Sequence, residues 1–313
     1  MESSHLLEIT RSLLAQPTAP FHEDRVRAEI HLQLAQLPHV TVTQDDFGNV
    51  IARYDRGGAS PAFAFAAHMD HPAYVGGNFL GGVPESYRKK NPPTRDFGPF
   101  AMWDLPAFEL HEERIYSRAC DDLIGCAAIL AMFRELERSE TEASCFGLFT
   151  RAEEVGFVGA IHLAKEQRIP RDVTIVSLET SSERGGPVKM GEGVILRVGD
   201  KTSIFDSSAM ALLTNLARDR QIPHQRALMQ GGTCEATAYQ LYGYRTAGLC
   251  VALGNYHNCG SDDMIASEYV ALGDVLGMAR LCVAAATAGR PADPLSELRE
   301  KLEKNCEKYR ELY

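Results

Sequence analysis

Apolar residues recur along this chain at two spacings, one helical and one strand-like. Helical spacing predicts a helix over residues 4–16 and another that begins after residue 20. Strand-like runs follow at 40–43, 49–54 and 62–67. From residue 121 to about 289 the two patterns alternate, which is typical of βαβ units. We therefore predict an α/β fold of three layers, α/β/α, around a largely parallel mixed sheet.

The stretch from His71 to about Ile115 has a different composition from the rest of the chain. It is rich in Gly, Pro and aromatic residues and lacks helical periodicity. We predict that residues 71–115 form a small β-rich insertion or a long ordered lid. The main domain is then built from two pieces, residues 1–70 and 116–313.

Four apolar, strand-like runs lead to residue types that bind metal ions, and the acidic pair Asp121-Asp122 opens a helix-like segment. The residues at or just after the ends of these runs are His68 with Asp70, Glu153 with Glu154, Glu179, and His257. In open α/β sheets, ligands gather outside the carboxyl ends of the strands. Burying so many ionisable groups is costly unless a metal neutralises them, so we predict a site for two divalent metal ions.

His68 and Asp70 are two residues apart at the end of a strand. Strand alternation points both side chains to the same face, where Asp70 can orient the imidazole without binding metal itself. The same alternation sends His71, a competing ligand, to the opposite face. By itself, an H-x-D pair is also compatible with a hydrogen-bonded core histidine.

The two acidic pairs suggest different tasks. A carboxylate from Asp121-Asp122 can bridge two cations, although a plain helix N-cap is the alternative. Glu153 and Glu154 stand at a strand-to-helix turn, where adjacent side chains point in different directions. One can bind metal while the other acts as a general base, and an accidental charged turn is the alternative.

Charge and cysteine usage narrow the class of protein. The formal net charge of −10 argues against nucleic acid and anionic membrane surfaces as partners. The most apolar long stretch, 271–288, carries Asp274 and Arg280, so it predicts a buried helix and no membrane span. The first residues lack a cationic leader, and the eight cysteines include no C-x-x-C pair. We expect free thiols and a cytoplasmic location.

The C-terminal segment 293–313 is rich in charge. Its apolar residues, with Leu298 and Leu302 among them, form one helical stripe. It is either an amphipathic helix packed on its own domain or an oligomer contact.

With these residues placed, the chain resembles the dinuclear-zinc aminopeptidases of the TET, or glutamyl/leucyl aminopeptidase, family. The segments that carry the resemblance are 17–24, 46–52, 67–70, 120–125, 153–160, 231–233 and 256–257. They span most of the chain in order. The ordered set is specific, although each motif alone is not.

The resemblance implies roles for these positions. His68, Asp121 and Glu179 would hold one metal, and Asp121, Glu154 and His257 the second, with Asp121 as the bridge. Glu153 would be the general base and Asp70 would orient His68. A cis peptide is expected between Asp121 and Asp122. The main domain would be zinc-exopeptidase-like, and residues 71–115 a reduced counterpart of a PDZ-like domain.

The resemblance further implies two zinc ions, with cobalt or manganese as substitutes, a peptide or small aminoacyl substrate, and a homo-oligomer. Two alternatives stay open at this point. One is a metal-dependent hydrolase of small N-acyl or amide compounds. The other is a catalytically inactive binding protein on the same fold.

Overall fold

The computed structural model describes residues 1–57, 60–184, 186–289 and 295–310. Its helices are α1 Ser3–Leu14, α2 Asp24–Leu34, α3 Glu85–Lys89, α4 Leu123–Arg138, α5 Val158–Glu166, α6 Ser207–Asp219, α7 Glu235–Leu241, α8 Leu272–Ala288 and α9 Ser296–Lys308. Its strands are β1 Val40–Gln44, β2 Val50–Arg56, β3 Phe63–His68, β4 Ala73–Val75, β5 Asn78–Leu80, β6 Thr94–Asp96, β7 Phe100–Trp103, β8 Glu109–His111, β9 Arg114–Ser117, β10 Ala143–Thr150, β11 Thr174–Ser182, β12 Val194–Gly199, β13 His224–Leu228, β14 Arg245–Leu253 and β15 Glu268–Ala271.

An eight-stranded mixed sheet forms the centre of the molecule, in the order β1-β2-β10-β3-β11-β14-β12-β13. The adjacent strands β10, β3, β11 and β14 run parallel. On one side, β1 and β2 are antiparallel to their neighbours. On the other side, β12 is antiparallel to β14 and parallel to β13. The parallel centre brings the carboxyl ends of four strands to one edge of the sheet, where ligands usually bind.

Helices cover both faces of this sheet because its central strands are apolar on both sides. In β3, Phe65 and Ala67 face a core shared with α1, α2, α4, α6 and α8. Ala64 and Ala66 face a second core, with α5 and α7. The predicted three-layer α/β/α fold with a largely parallel mixed sheet is therefore confirmed.

One strand boundary was predicted wrongly. The sequence pattern ended the third apolar run at Glu179, but β11 continues to Ser182 because residues 180–182 stay paired with β14. Pairing between β11 and β3 stops earlier, at Ser177 opposite Ala66. Glu179 therefore lies within β11, at a position that is paired with β14 but not with β3.

Residues 71–115 contain several short antiparallel strands, β4 to β8 and the start of β9. A four-stranded sheet has the order β5-β4-β7-β6, and β8 and β9 pair with the distant β15 in a three-stranded sheet. The short helix α3 lies between β5 and β6, although the sequence showed no helical periodicity there. The division into residues 1–70 with 116–313 and residues 71–115 stays a prediction, and β9 spans its second boundary.

Three further expectations can be compared with the described residues. None of their helices is long and apolar enough to cross a membrane. No disulfide joins any of the eight cysteines, all of which lie within the described ranges. Helix α9 has no buried residue, and Leu298 and Leu302 are 51% and 55% exposed, so the apolar stripe is not packed on its own domain. Residues 293–294 and 311–313 of that predicted segment lie outside the described residues.

Candidate metal centre

The sequence-predicted ligands converge at the carboxyl edge of the central sheet. Donor atoms of His68, Glu153 and Glu179 lie within 4.8 Å of one another, as do those of Asp121, Glu154 and His257. The structure thus brings all five predicted ligands and the predicted general base into two adjoining groups. Glu153, the predicted general base, lies in the same group as His68 and Glu179.

Asp121 links the two groups. Its Oδ1 is 3.4 Å from Nε2 of His68, and its Oδ2 is 3.5 Å from Nε2 of His257. The same Nε2 of His257 is 3.2 Å from Oε1 of Glu154. Each oxygen of one carboxylate therefore faces a different imidazole, which is the arrangement expected of a group that bridges two cations.

The tautomer of His68 is set by its neighbour in the chain. Its Nδ1 lies 3.0 Å from the main-chain oxygen of Asp70, to which it can only donate a hydrogen bond. Its Nε2 then carries a lone pair toward Asp121, as a metal ligand requires. The carboxylate of Asp70 also lies beside this nitrogen, with Oδ1 3.6 Å from Nδ1.

The Asp70 side chain also supports the glutamate pair. Its two oxygens accept hydrogen bonds from the backbone N–H groups of Glu153, at 2.9 Å, and Glu154, at 3.1 Å. Ala152, just before the pair, has a left-handed φ of 54°. This turn points the two adjacent carboxylates to the two different ligand groups, and functional sites commonly hold such backbone conformations.

The ligand atoms fit a metal better than they fit one another. Asp121 Oδ1 and Glu154 Oε1 are buried and have no hydrogen-bond partner within the described part of the chain. Buried polar atoms are usually paired, and the exceptions require an explanation. Imidazole and carboxylate donors facing one another without hydrogen bonds are explained by divalent cations between them.

Burial and mutual charge shift the protonation of this centre. Burial acts to raise the pKa of Asp121, but the facing imidazoles of His257 and His68 hold it well below its usual range. Burial raises the pKa of Glu179 to about 8 and that of Glu153 well above its usual range. Without metal the cluster therefore retains protons, which metal binding would release.

The two residues of the Asp121-Asp122 pair have different positions in the structure. Asp122 is the N-cap of α4, and its Oδ1 accepts the backbone N–H of Gly125 at 3.0 Å. The alternative interpretation as a helix cap thus describes Asp122, while Asp121 faces the centre. The peptide between them is cis, as predicted.

Sequence reasoning missed Glu268, on β15, which is fully buried. Its Oε2 accepts hydrogen bonds from the backbone N–H groups of Cys120, at 2.7 Å, and Asp121, at 3.1 Å. Its Oε1 accepts the backbone N–H of His257 at 2.8 Å. One carboxylate thus fixes two ligand-bearing segments relative to each other. No pattern around residue 268 marks this role.

His71 and Glu235 are two further buried ionisable groups nearby. His71 is not in either ligand group: its Nδ1 donates to the main-chain oxygen of Asp121 at 2.8 Å, and its Nε2 lies 3.1 Å from Oδ1 of Asn258. Glu235 opens α7 with 1% exposure, and burial raises its pKa to about 7. Glu235 carried no signal in the sequence because it follows no strand.

A cavity of 920 Å³ opens over the centre. Its lining includes His68, Asp121, Glu153, Glu179 and His257, together with residues from β11, β12 and the segment 226–233. The ring of Tyr256 stacks on that of His257 with centroids 3.9 Å apart. A cavity of this size beside reactive side chains is the usual form of a small-molecule or peptide site.

These features define an α/β protein with a buried carboxylate–imidazole centre suited to divalent metal ions. The chain belongs to the M42 glutamyl aminopeptidase family, whose profile matches residues 95–268, more than half of its length.

Curated relatives carry related names. The chain is 29% identical over 127 residues to a protein provisionally named an aminopeptidase from Acetivibrio thermocellus, covering 39% of this chain and 38% of that protein. It is 25% identical over 150 residues to the provisionally named aminopeptidase FrvX of Escherichia coli K12, and the match covers 46% of this chain and 39% of that protein. The chain therefore spans well under half the length of the curated relatives it matches.

Solved structures agree over nearly the whole chain. The TET1 peptidase of Pyrococcus horikoshii, described as assembling into a tetrahedron or a large octahedral shell, is similar with a TM-score of 0.73, 21% identity and coverage of 90% of this chain and 99% of that chain. Aminopeptidase APDkam598 of Desulfurococcus kamchatkensis is similar with a TM-score of 0.76 and 19% identity, and the match covers 93% of this chain and 96% of that chain. At these identities the likeness establishes the shared fold.

Proposed function

We propose that this chain is a metal-dependent aminopeptidase that removes N-terminal residues from peptides. The observation that carries the proposal is the position of Asp121, whose two oxygens face Nε2 of His68 and Nε2 of His257 at 3.4 and 3.5 Å. A carboxylate placed in this way can bridge the two metal ions of a hydrolytic centre. Membership of the glutamyl aminopeptidase family supports the same activity.

The candidate ligands divide into two sets that share one member. We assign His68, Asp121 and Glu179 to one divalent ion, and Asp121, Glu154 and His257 to the second. Zinc is the metal proposed, and cobalt or manganese also suit imidazole and carboxylate donors. When bound, the metals would activate a water molecule and polarise the scissile carbonyl.

Glu153 is proposed as the general base and proton shuttle. It takes a proton from the attacking water and passes it to the leaving amine. Glu153 is only 9% exposed, and the hydrogen bond from its backbone N–H to Asp70 fixes its position. The free α-amine of the substrate would be held at the centre, so cleavage proceeds from the N-terminus.

The surroundings of the centre suggest further properties. We propose that residues 71–115 form an insertion that borders the active site, because a Cβ on Gly82 would lie 3.3 Å from the ring of His257. We also propose a homo-oligomer located in the cytoplasm. The assembly described for the Pyrococcus horikoshii TET1 peptidase supports the oligomer.

The test is hydrolysis of matched free-amine and N-acetylated aminoacyl substrates, with and without added zinc, cobalt or manganese. Metal-dependent cleavage of the free-amine substrates alone is the expected result. Cleavage confined to the N-acetylated substrates would move the assignment to a hydrolase of small N-acyl compounds. If no substrate is cleaved and added metal leaves the melting temperature unchanged, the result would indicate an inactive binding protein.

A further inference from the structure

The segment that carries His257 has an unusual backbone. We call residues 255–263 the His257 loop. Non-glycine residues of this loop that have a left-handed φ, between 53° and 62°, are Asn255, His257, Asn258, Asp262 and Asp263. Asn, Asp and His tolerate this region better than most side chains, but it still costs free energy. Such a run persists only where the surrounding structure holds it in place.

Strand β15 and the residue before it hold the first half of the His257 loop. The side-chain Nδ2 of Asn255 donates to the main-chain oxygen of Ser267 at 2.8 Å. Oε1 of Glu268 accepts the backbone N–H of His257 at 2.8 Å. These contacts come from the end of the chain that follows the loop. The second half of the loop is contacted from a distant part of the sequence.

That distant part is helix α3 and the residue after it. Side chains there donate three hydrogen bonds to the second half of the loop: Ser86 to Asp263, Tyr87 to Gly260 and Lys90 to Asp262. Of these three, the bond from the Tyr87 hydroxyl to the Gly260 main-chain oxygen, at 2.9 Å, is buried, and the other two are exposed. Tyr87 itself is 8% exposed. Because water competes least for a buried hydrogen bond, Tyr87 makes the strongest of these contacts.

The segment 71–115 also packs directly on the imidazole of His257. A Cβ on Gly82 would lie 3.3 Å from this ring, so the backbone at Gly82 is in close contact with it. The ring of His71 meets it edge-on, with centroids 6.3 Å apart. The segment therefore contacts both the side chain of this candidate ligand and the loop on which it lies.

We propose that Tyr87 is a positioning residue for His257, and that its hydrogen bond to Gly260 keeps the His257 loop in the metal-binding conformation before metal is bound. The inference rests on the proposed function, in which His257 is a ligand of one ion. Without this bond, the metal-free loop would populate other backbone conformations. Metal affinity falls in proportion to the fraction of molecules that is competent to bind. The ion assigned to His68 does not depend on this loop.

Metal titration of Tyr87→Phe by calorimetry tests the inference. The probe is zinc, added to the whole chain after chelator treatment, and His257→Ala identifies which of the two binding steps involves His257. We expect that step to be about five- to ten-fold weaker in Tyr87→Phe, which corresponds to the loss of one hydrogen bond. The other binding step should keep the affinity that it has in the wild type.

Two control variants separate this effect from a general one. Tyr74→Phe removes a hydroxyl from the same segment, where the ring packs edge-on against Trp103, and should bind zinc as the wild type does. Ser86→Ala removes the exposed contact to Asp263 and should also have little effect. If Tyr87→Phe leaves both affinities unchanged, or weakens both binding steps equally, the inference is wrong.

Amide hydrogen exchange of the metal-free protein gives a second readout. The backbone N–H of Gly260 donates to the Met264 oxygen at 2.9 Å, and that of Ala266 donates to the Asn258 oxygen at 3.0 Å. In Tyr87→Phe these two amides should exchange faster than in the wild type, while the amides of the central sheet keep their rates. Faster exchange of all amides together would show that Tyr87 only stabilises the fold, and would contradict the inference.

Failure of the inference and failure of the proposed function give different results. If zinc binds but no free-amine substrate is cleaved, the aminopeptidase proposal fails, and the titration and the exchange still decide the role of Tyr87. If substrates are cleaved, Tyr87→Phe should need more zinc than the wild type for half-maximal rate and reach the same rate at saturating zinc. An unchanged zinc requirement would leave the proposed function intact and overturn the inference.

Discussion

Glu268 accepts the backbone N–H of His257 at 2.8 Å through one carboxylate oxygen, while the other accepts the N–H of Asp121 at 3.1 Å. Two candidate ligands that are far apart in sequence are thus tied to the same side chain. Partners of this kind, which hold ligands without binding metal, usually matter for metal affinity as much as for folding.

We predict that Glu268→Gln lowers metal affinity by roughly 10- to 100-fold, the range typical of lost ligand support. Glutamine keeps one acceptor oxygen but presents an NH2 group to at least one backbone N–H that needs an acceptor. Metal titration by calorimetry measures the affinity. The control is Glu109→Gln, exposed on β8 of the same small sheet. Unchanged affinity in Glu268→Gln, with Glu268→Ala also unaffected, would contradict the role.

Removal of either imidazole should reduce bound metal. In His68→Ala and His257→Ala the candidate centre loses the Nε2 atoms that face Asp121, so each variant is expected to bind less metal than the wild type. Elemental analysis after dialysis gives the stoichiometry. His224→Ala, a half-buried histidine on β13, serves as the control. Full metal content in both ligand variants would refute the ligand assignment.

Glu153→Gln should separate chemistry from metal binding. Glutamine preserves the shape of the side chain but cannot take a proton, so kcat should fall by about 100- to 10,000-fold, the usual contribution of general base catalysis. Metal content is expected to remain close to that of the wild type, because His68, Asp121 and Glu179 are retained. If Glu153→Gln keeps activity near that of the wild type, Glu153 is not the general base.

The sequence was sufficient to predict most of the fold and the positions of the candidate ligands. Periodicity located the apolar strands. The rule that ligands gather at the carboxyl ends of parallel strands then predicts, from the sequence alone, that His68, Glu154 and His257 lie together. The rule succeeds because each of these residues lies close behind an apolar run in the chain.

Residues that act through tertiary contacts escaped sequence reasoning. Glu268 and Arg197, a buried residue of the cavity wall, lie in strands that reach the centre only because β15 pairs with β9 and β12 pairs with β14. Nothing local distinguishes a buried glutamate or arginine in a short strand from an exposed one. The predicted end of β11 was wrong for the same reason: pairing with β14, a long-range property, carries the strand beyond Glu179.

Glu235 should make the metal-free protein less stable as pH rises. Burial raises the pKa of Glu235 from 4.5 to about 7, so between these values the native state holds a proton that the unfolded chain has released. The native state then binds more protons, and the free energy of unfolding falls with increasing pH. This loss of stability is absent below pH 4.5 and complete above pH 7. At about 1.4 kcal/mol per pKa unit, it then lowers the free energy of unfolding by about 3 kcal/mol.

Glu235→Gln removes this ionisation, so its stability relative to the wild type should be greater at about pH 8 than at about pH 5, by about 2–3 kcal/mol on the same basis. Urea unfolding of chelator-treated protein at the two pH values measures the difference. Glu300→Gln, exposed on α9, controls for the general loss of a negative charge. A gain equal at both pH values would show that Glu235 is destabilising for steric reasons. A loss greater at the higher pH than at the lower would show that its ionised form is stabilised by contacts that outweigh its burial.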